Sequence, residues 1–258
     1  IPVPKAVAAF LFFICYIYLR AISWKFLAQY FGQTISKTDS LTIWFFSEIV
    51  RYIPGNIWSF ASRAYLSRKR QVSKEASIII LPAEIIIVTT ATTILSSYAI
   101  VKILERHSVN STFYLLAIAS LLITLTLLLF HKAITRILKK MLAQNLDLRA
   151  LLKALILQFL SWSFYSLGYM VLVSDITKVH NLVLLFSSTL LSWLIGYLTI
   201  ISPLGLGVRE SAFVLLTGSQ IGPAEALVVA ILARTILTIS ELVNLTFWAG
   251  LKRKSIIS

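Results

Sequence analysis

The sequence predicts an all-α polytopic membrane protein, with about six to seven transmembrane helices plus broken or re-entrant half-helices arranged as an inverted repeat. Three observations carry this. Apolar runs of spanning length recur along the 258 residues. Only 13% of residues are charged against 58% hydrophobic, with mean hydropathy +0.87. A soluble domain has about 25% charged residues, so this chain cannot dress a water-facing surface. Proline and glycine then interrupt two of the apolar runs, at "YIPGN" and "SPLGLGVRE". A β-barrel needs alternating segments of about ten residues, which these continuous runs are not.

Taken in order, the runs cover 6–30, 40–70 with its break, 74–104, 111–131, 147–173, 180–201 and 222–250. The pieces 40–52, 56–69 and 208–219 are too short to span and are expected as half-helices. The whole reads as one integral membrane domain, 1–258, with a first repeat of about 1–104, a linking helix at 111–131 and a second repeat of about 147–250. The opening "IPVPK" has no initiator Met and no basic leader, which leaves room for an upstream helix.

The net charge of +14 comes from lysines and arginines gathered at helix ends, so nucleic acid is not an expected partner. The basic segments 63–74 and 131–149 and the tail are expected on the cytoplasmic side, and 105–110 and 174–180 outside. That makes a multi-pass protein of the cell (inner) membrane with a cytoplasmic C-terminus, whose first helix runs inward. The single Cys15 excludes an internal disulfide, and His107, His131 and His180 fall at helix ends without metal-ligand spacing.

One register relates the halves. Gly55 and Gly205, Glu75 and Glu225, and Glu84 and Arg234 are each 150 positions apart. The predicted sidedness gives the copies opposite orientations, the ground plan of many secondary transporters. A charge at a helix centre costs about 2.5–3.5 kcal/mol, and pseudo-twofold symmetry predicts a Glu84–Arg234 pair that offsets it.

The candidate site follows from the breaks. Pro203 with Gly205 and Gly207 must stop one helix and start another, and broken backbone at membrane depth has to line a cavity or be buried. Arg209 would stand in the first turn of the new helix, beside its free amides, as an anion-binding group. Glu210 can pair with Arg209 or a neighbour. In the first copy Pro54 and Gly55 break the helix and Asn56 caps the next piece. Arg51 stands before the break, with Glu48 on the same helix face, and Arg63 follows two turns after it. Glu241, seven residues after Arg234, extends a polar path or gate made with Glu84 and Arg234, and Asn244 continues that line. Trp24, Trp44, Trp58, Trp162, Trp193 and Trp248 read as interface anchors or packing. No phosphate loop, metalloprotease or nucleophile-elbow motif is present, so neither an ATP-driven pump, an enzyme, a cofactor nor a metal is expected.

"RYIPGNIWSFASRAYLSRKRQVSKEAS", then "PLGLGVRESAFVLLTG" and "ALVVAILARTI", resemble the lysylphosphatidylglycerol synthetase/flippase transmembrane family. Its pattern is an Arg-Tyr-x-Pro-Gly break, an Arg one or two turns on, a Pro-Gly-Gly-x-Gly-x-Arg-Glu signature and an Arg in the last helix. Arg51, Pro54, Gly55, Arg63, Gly205, Gly207, Arg209, Glu210 and Arg234 match it, and Leu204 departs from it. The resemblance implies a membrane domain that moves or binds lipids. With the chain ending at Ser258, no synthetase activity is expected of it. The expected function is a flippase-like transporter binding an anionic phospholipid or polyprenyl-phosphate headgroup between the two broken helices. The alternative is a non-transporting accessory protein of lipid modification or cell-surface glycan synthesis. Expected partners are membrane lipids, with a homo-oligomer or a glycan- or lipid-synthesis protein also admitted.

Overall fold

The computed structural model describes residues 2–53, 58–106, 146–174, 181–199 and 205–257, with side chains left out at 104, 106 and 251–257. The linking helix expected at 111–131, the residues Pro54, Gly55, Asn56 and Pro203, and the three histidines lie outside the described residues. Every regular element among those described is helical.

Four helices are long and apolar enough to cross a bilayer. They are α1 (Val3–Tyr30), α4 (Lys74–Arg106), α5 (Leu148–Val173) and α8 (Pro223–Ile257). The shorter ones are α2 (Lys37–Ile49), continued by a tight turn at Val50–Tyr52, α3 (Trp58–Arg68), α6 (Leu182–Leu198) and α7 (Val208–Ile221). At 17 residues α6 is about 25 Å long, and α2, α3 and α7 are shorter still, so none covers a hydrocarbon core of about 30 Å. The chain is a multi-pass α-helical membrane protein.

The starts of these helices are written locally. Ser36 Oγ accepts from the amide of Asp39 (3.0 Å) to cap α2. Asp147 accepts from the amides of Arg149 (2.9 Å) and Ala150 (3.1 Å) to cap α5. Asn181 accepts from the amide of Leu184 (2.9 Å) to cap α6. Each supplies an acceptor to a donor the helix cannot satisfy itself.

Packing sets the order in space. The α1–α5 contact is the most extensive, and it is antiparallel. The amide of Asp147 donates to Tyr30 O (3.2 Å), Ser23 Oγ donates to Ala154 O (2.8 Å), and Phe13 packs where a Cβ on Gly168 would fall 2.7 Å from its ring. Two further interfaces also run antiparallel. Tyr98 on α4 meets Asn181 of α6 (3.1 Å), while Thr42 on α2 meets Trp248 of α8 (2.9 Å). The order long helix, half-helix, half-helix, long helix thus occurs twice, and α4–α6 in one sense corresponds to α8–α2 in the other.

Candidate functional site

Charged residues from α1, α2, α3, α4, α7 and α8 converge around one cleft. Arg63 on α3 is 1% exposed. Its Nε donates to Ser47 Oγ (3.0 Å), its Nη1 to Glu84 Oε1 and its Nη2 to Glu48 Oε1, while its guanidinium lies 3.9 Å from the centre of the Trp44 ring. Arg51, in the tight turn, donates to Glu48 Oε2 (2.8 Å) and to Glu241 Oε1 on α8. The Tyr52 hydroxyl donates to Glu241 Oε2 (2.7 Å). Glu48 therefore bridges two arginines, and Glu241 ties the first break to the last helix.

The second break is built differently. Gly205 (φ +66) and Gly207 (φ +80) both take left-handed backbone. At Gly205 a side chain is also excluded by space, since a Cβ there would lie 2.7 Å from Gly196 O on α6. A Cβ on Gly196 would in turn lie 3.0 Å from the Cβ of Arg209. The two glycines thus let α7 start against α6 and bring Arg209 onto that wall. Glu210 turns the other way. Its Oε2 accepts from the Gly207 amide (2.8 Å) and its Oε1 from Arg234 Nη1 on α8.

This overturns the expected Glu84–Arg234 pair. Each of these residues instead bonds to the half-helix that precedes its own long helix, Glu84 to Arg63 and Arg234 to Glu210, because α3 packs on α4 and α7 on α8. Glu210 pairs with Arg234, not with Arg209. It also occupies the Gly207 amide, so the first donor of α7 is already taken by a carboxylate. Asn244 does not extend a polar path, as its amide nitrogen donates to Ser240 O (2.7 Å) within its own helix.

A cleft of about 80 Å³ lies between these elements. Its walls carry Arg20, Arg51, Arg63 and Arg209 against Glu48 and Glu84, with Trp193, Gly196 and Tyr197 of α6 closing one side. Smaller spaces of about 20 Å³ and about 40 Å³ adjoin it across Arg51, the second also reaching Arg209 and Arg234. Of the expected site residues, Arg51, Arg63, Glu84 and Arg209 face the cleft. Arg234 and Glu241 stand behind Arg51, and Gly205, Gly207 and Glu210 shape the turn.

Arg20 is a site residue that motif spacing does not point to. It sits in the middle of α1, 8% exposed, with its guanidinium 4.9 Å from the Trp44 ring, 5.2 Å from Trp162 and 5.5 Å from Tyr16. Its Nη1 donates to the Tyr16 hydroxyl (2.9 Å) and its Nε has no partner. Its signal in the sequence is isolation, a charge deep in a spanning segment, which by itself marks a functional candidate. Trp44 and Trp193 are likewise not interface anchors. They are buried and face Arg63, Arg20 and Arg209.

The electrostatics reduce to a count. The five arginines at 20, 51, 63, 209 and 234 face the four glutamates at 48, 84, 210 and 241, which leaves one positive charge in excess. Among the described residues Arg20 and Arg209 have no carboxylate partner, and Arg209 makes no hydrogen bond, with its Nε buried. A membrane interior makes such a charge costly unless something of opposite sign meets it.

The family described as the lysylphosphatidylglycerol synthase TM region matches residues 3–242, and the chain belongs to that family. No curated protein and no solved structure matches the chain.

Proposed function

We propose that this member of the lysylphosphatidylglycerol synthase TM family is a flippase-like lipid transporter, which takes an anionic phospholipid or polyprenyl-phosphate headgroup into the cleft between its two broken helices. The observation that carries this reading is Arg209. It is a guanidinium at the cleft wall, placed there by Gly196 and Gly205, with no hydrogen-bond or ion-pair partner among the described residues. Arg20 faces the same cleft from α1. An anion between them would cancel the excess charge and give both arginines charge-assisted hydrogen bonds. Arg63 contributes field more than contact, since each of its nitrogens is engaged.

The architecture supports transport. The antiparallel packing of α1 on α5, and the corresponding α4–α6 and α8–α2 interfaces, are what an inverted repeat requires. Rocking of one half on the other would then expose the cleft to either side of the cell membrane, with the C-terminus cytoplasmic, while the acyl or prenyl tails stay in lipid.

The test is headgroup transfer of labelled anionic lipids in liposomes holding the purified protein. Arg209→Ala removes a charge-assisted contact worth about 1.5–3 kcal/mol, so transfer is expected to fall about 10- to 100-fold with thermal unfolding unchanged. Undiminished transfer in that variant sinks the assignment of Arg209. Absence of transfer from well-folded wild type, with lipid still bound, moves the protein to the non-transporting accessory class.

A further inference from the structure

The two arginines that lack a carboxylate have aromatic neighbours instead. The Arg209 guanidinium lies over the Trp193 ring, 5.7 Å from its centre. The Arg20 guanidinium lies over Trp44 (4.9 Å), Trp162 (5.2 Å) and Tyr16 (5.5 Å). These seats join into one line. Trp162 meets Trp193 with ring centres 4.1 Å apart, and Trp44 also carries Arg63 at 3.9 Å. Arg63, Trp44, Arg20, Trp162, Trp193 and Arg209 thus form an unbroken run, linking α3 of the first half to α7 of the second through α1 and α5. All three tryptophans are buried.

A ring and a carboxylate hold a guanidinium differently. The carboxylate cancels the charge and accepts N–H groups at the guanidinium edge. The ring attracts the cation through its quadrupole, cancels no charge and accepts none of those donors. Arg51, Arg63 and Arg234 are held in the first way, by Glu241, Glu84 and Glu210. Among the described residues Arg209 makes no hydrogen bond, and Arg20 makes one, to the Tyr16 hydroxyl (2.9 Å). Both therefore keep a full positive charge and unoccupied donors while being fixed in place.

Two details show that ring faces are what these positions supply. Trp193, Gly196 and Tyr197 share one face of α6 by their i, i+3, i+4 spacing, with the two rings stacked at 4.7 Å and 15°. A Cβ on Gly196, between them, would fall 3.0 Å from Arg209 Cβ and 3.4 Å from its Nε. The glycine is the notch that admits the Arg209 stem to the Trp193 ring. Trp162 is fully buried, and its Nε1 has no partner among the described residues. A buried donor left unpaired is costly, and phenylalanine would avoid it. What tryptophan adds is the aromatic face that binds cations best.

We infer that Trp193, Trp162 and Trp44 are positioning residues for anion binding. They seat Arg209 and Arg20 at the cleft wall with their charge uncancelled, so that a phosphate group entering the cleft is the first acid to neutralise them. The inference rests on the headgroup reading for its ligand, and adds to it the residues that keep the two receptor arginines ready. A lipid headgroup and free inorganic phosphate share this chemistry, and both serve as probes.

Two measurements separate the seats from the ligand. The first is the arginine Nε–H NMR spectrum of the ligand-free protein in nanodiscs, with the Arg209 signal identified by its loss in Arg209→Ala. Ring current is expected to hold that signal upfield. It should move downfield in Trp193→Leu and only part of the way in Trp193→Phe, which keeps a ring and guards against misfolding of the leucine variant. Trp162→Phe should shift the Arg20 signal in the same sense. The second is titration with dihexanoyl phosphatidylglycerol and, separately, with inorganic phosphate. Trp193→Leu is expected to weaken lipid binding about 5- to 30-fold, and Trp193→Phe by less. Neither should weaken it further once Arg209→Ala is present, because the ring acts through that arginine. Equal weakening of both probes supports a general phosphate site, and weakening of the lipid alone supports a headgroup site. An Arg209 signal unmoved by either Trp193 variant overturns the seats, whatever the ligand. Losses that add in full to those of Arg209→Ala overturn the positioning role. Ring-shifted signals in a wild type that binds neither probe overturn the headgroup reading, and the receptor role of the seats with it.

Discussion

In the first half of the molecule α2 stops at Ile49 and α3 resumes at Trp58, and in the second α6 stops at Leu198 and α7 resumes at Val208. Each resumed half-helix is then tied to the long helix after it by one arginine–glutamate pair, with the signs exchanged. In the first half the half-helix gives the arginine and α4 the glutamate. In the second the half-helix gives the glutamate and α8 the arginine. The exchange has a consequence for the arginines that face the cleft. Arg63 is spent inside its lock, held by Glu84, Glu48 and Ser47. Arg209 is left over, because Glu210 makes the lock in its place. Adjacent residues on a helix point about 100° apart, so one can face α8 while the other faces the cleft.

The largest effect should come from breaking the first lock. Arg63→Ala leaves Glu48 and Glu84 buried without it, which is expected to cost about 3–5 kcal/mol in thermal unfolding of the detergent-solubilised protein. Arg209→Ala should leave that unfolding transition where it is. Equal melting of the two variants would erase the distinction between a structural and a binding arginine. Gly205→Ala comes next. It combines left-handed backbone with the Gly196 carbonyl 2.7 Å from the new Cβ, and about 2–3 kcal/mol is expected. Gly207→Ala has open space at its Cβ and should lose only the backbone term, about 1 kcal/mol. Similar losses for both would show that close approach to α6 does not matter.

The exchange of signs can itself be tested. Glu210→Arg and Arg234→Glu, each destabilising alone, should partly rescue each other when combined, with a coupling of about 1–2 kcal/mol. Additive losses would mean that the carboxylate acts at the Gly207 amide and not on Arg234. The smallest effect belongs to Tyr52→Phe, which removes one hydrogen bond to Glu241 across the halves, about 0.5–1.5 kcal/mol.

Much of this was legible in the chain. The eight described helices fall on the apolar runs because spanning length, caps and Pro-Gly breaks are local properties. The two breaks, and the arginines around them, could be placed for the same reason. The local Glu48–Arg51 pair was legible too, as an i, i+3 spacing, but Arg20 and the long-range partners of the charges were not. A guanidinium on α1 acquires meaning only when Trp44 of α2 and Trp162 of α5 close around it. The 150-residue register placed Glu84 and Arg234 at matching positions, yet matching positions in a repeat are not neighbours.

By itself, then, the sequence determined a multi-pass helical membrane protein, interrupted twice, with arginines flanking both interruptions. Hydrophobic periodicity, chain length and helix-breaking residues act over a few turns and need no partner. The tertiary structure decided which charge meets which across the helices, and that Arg63 is consumed while Arg209 and Arg20 are not. Ion pairing in low dielectric is settled within a few ångströms, and only the packing of α3 on α4, α7 on α8 and α1 on α5 brings those distances about.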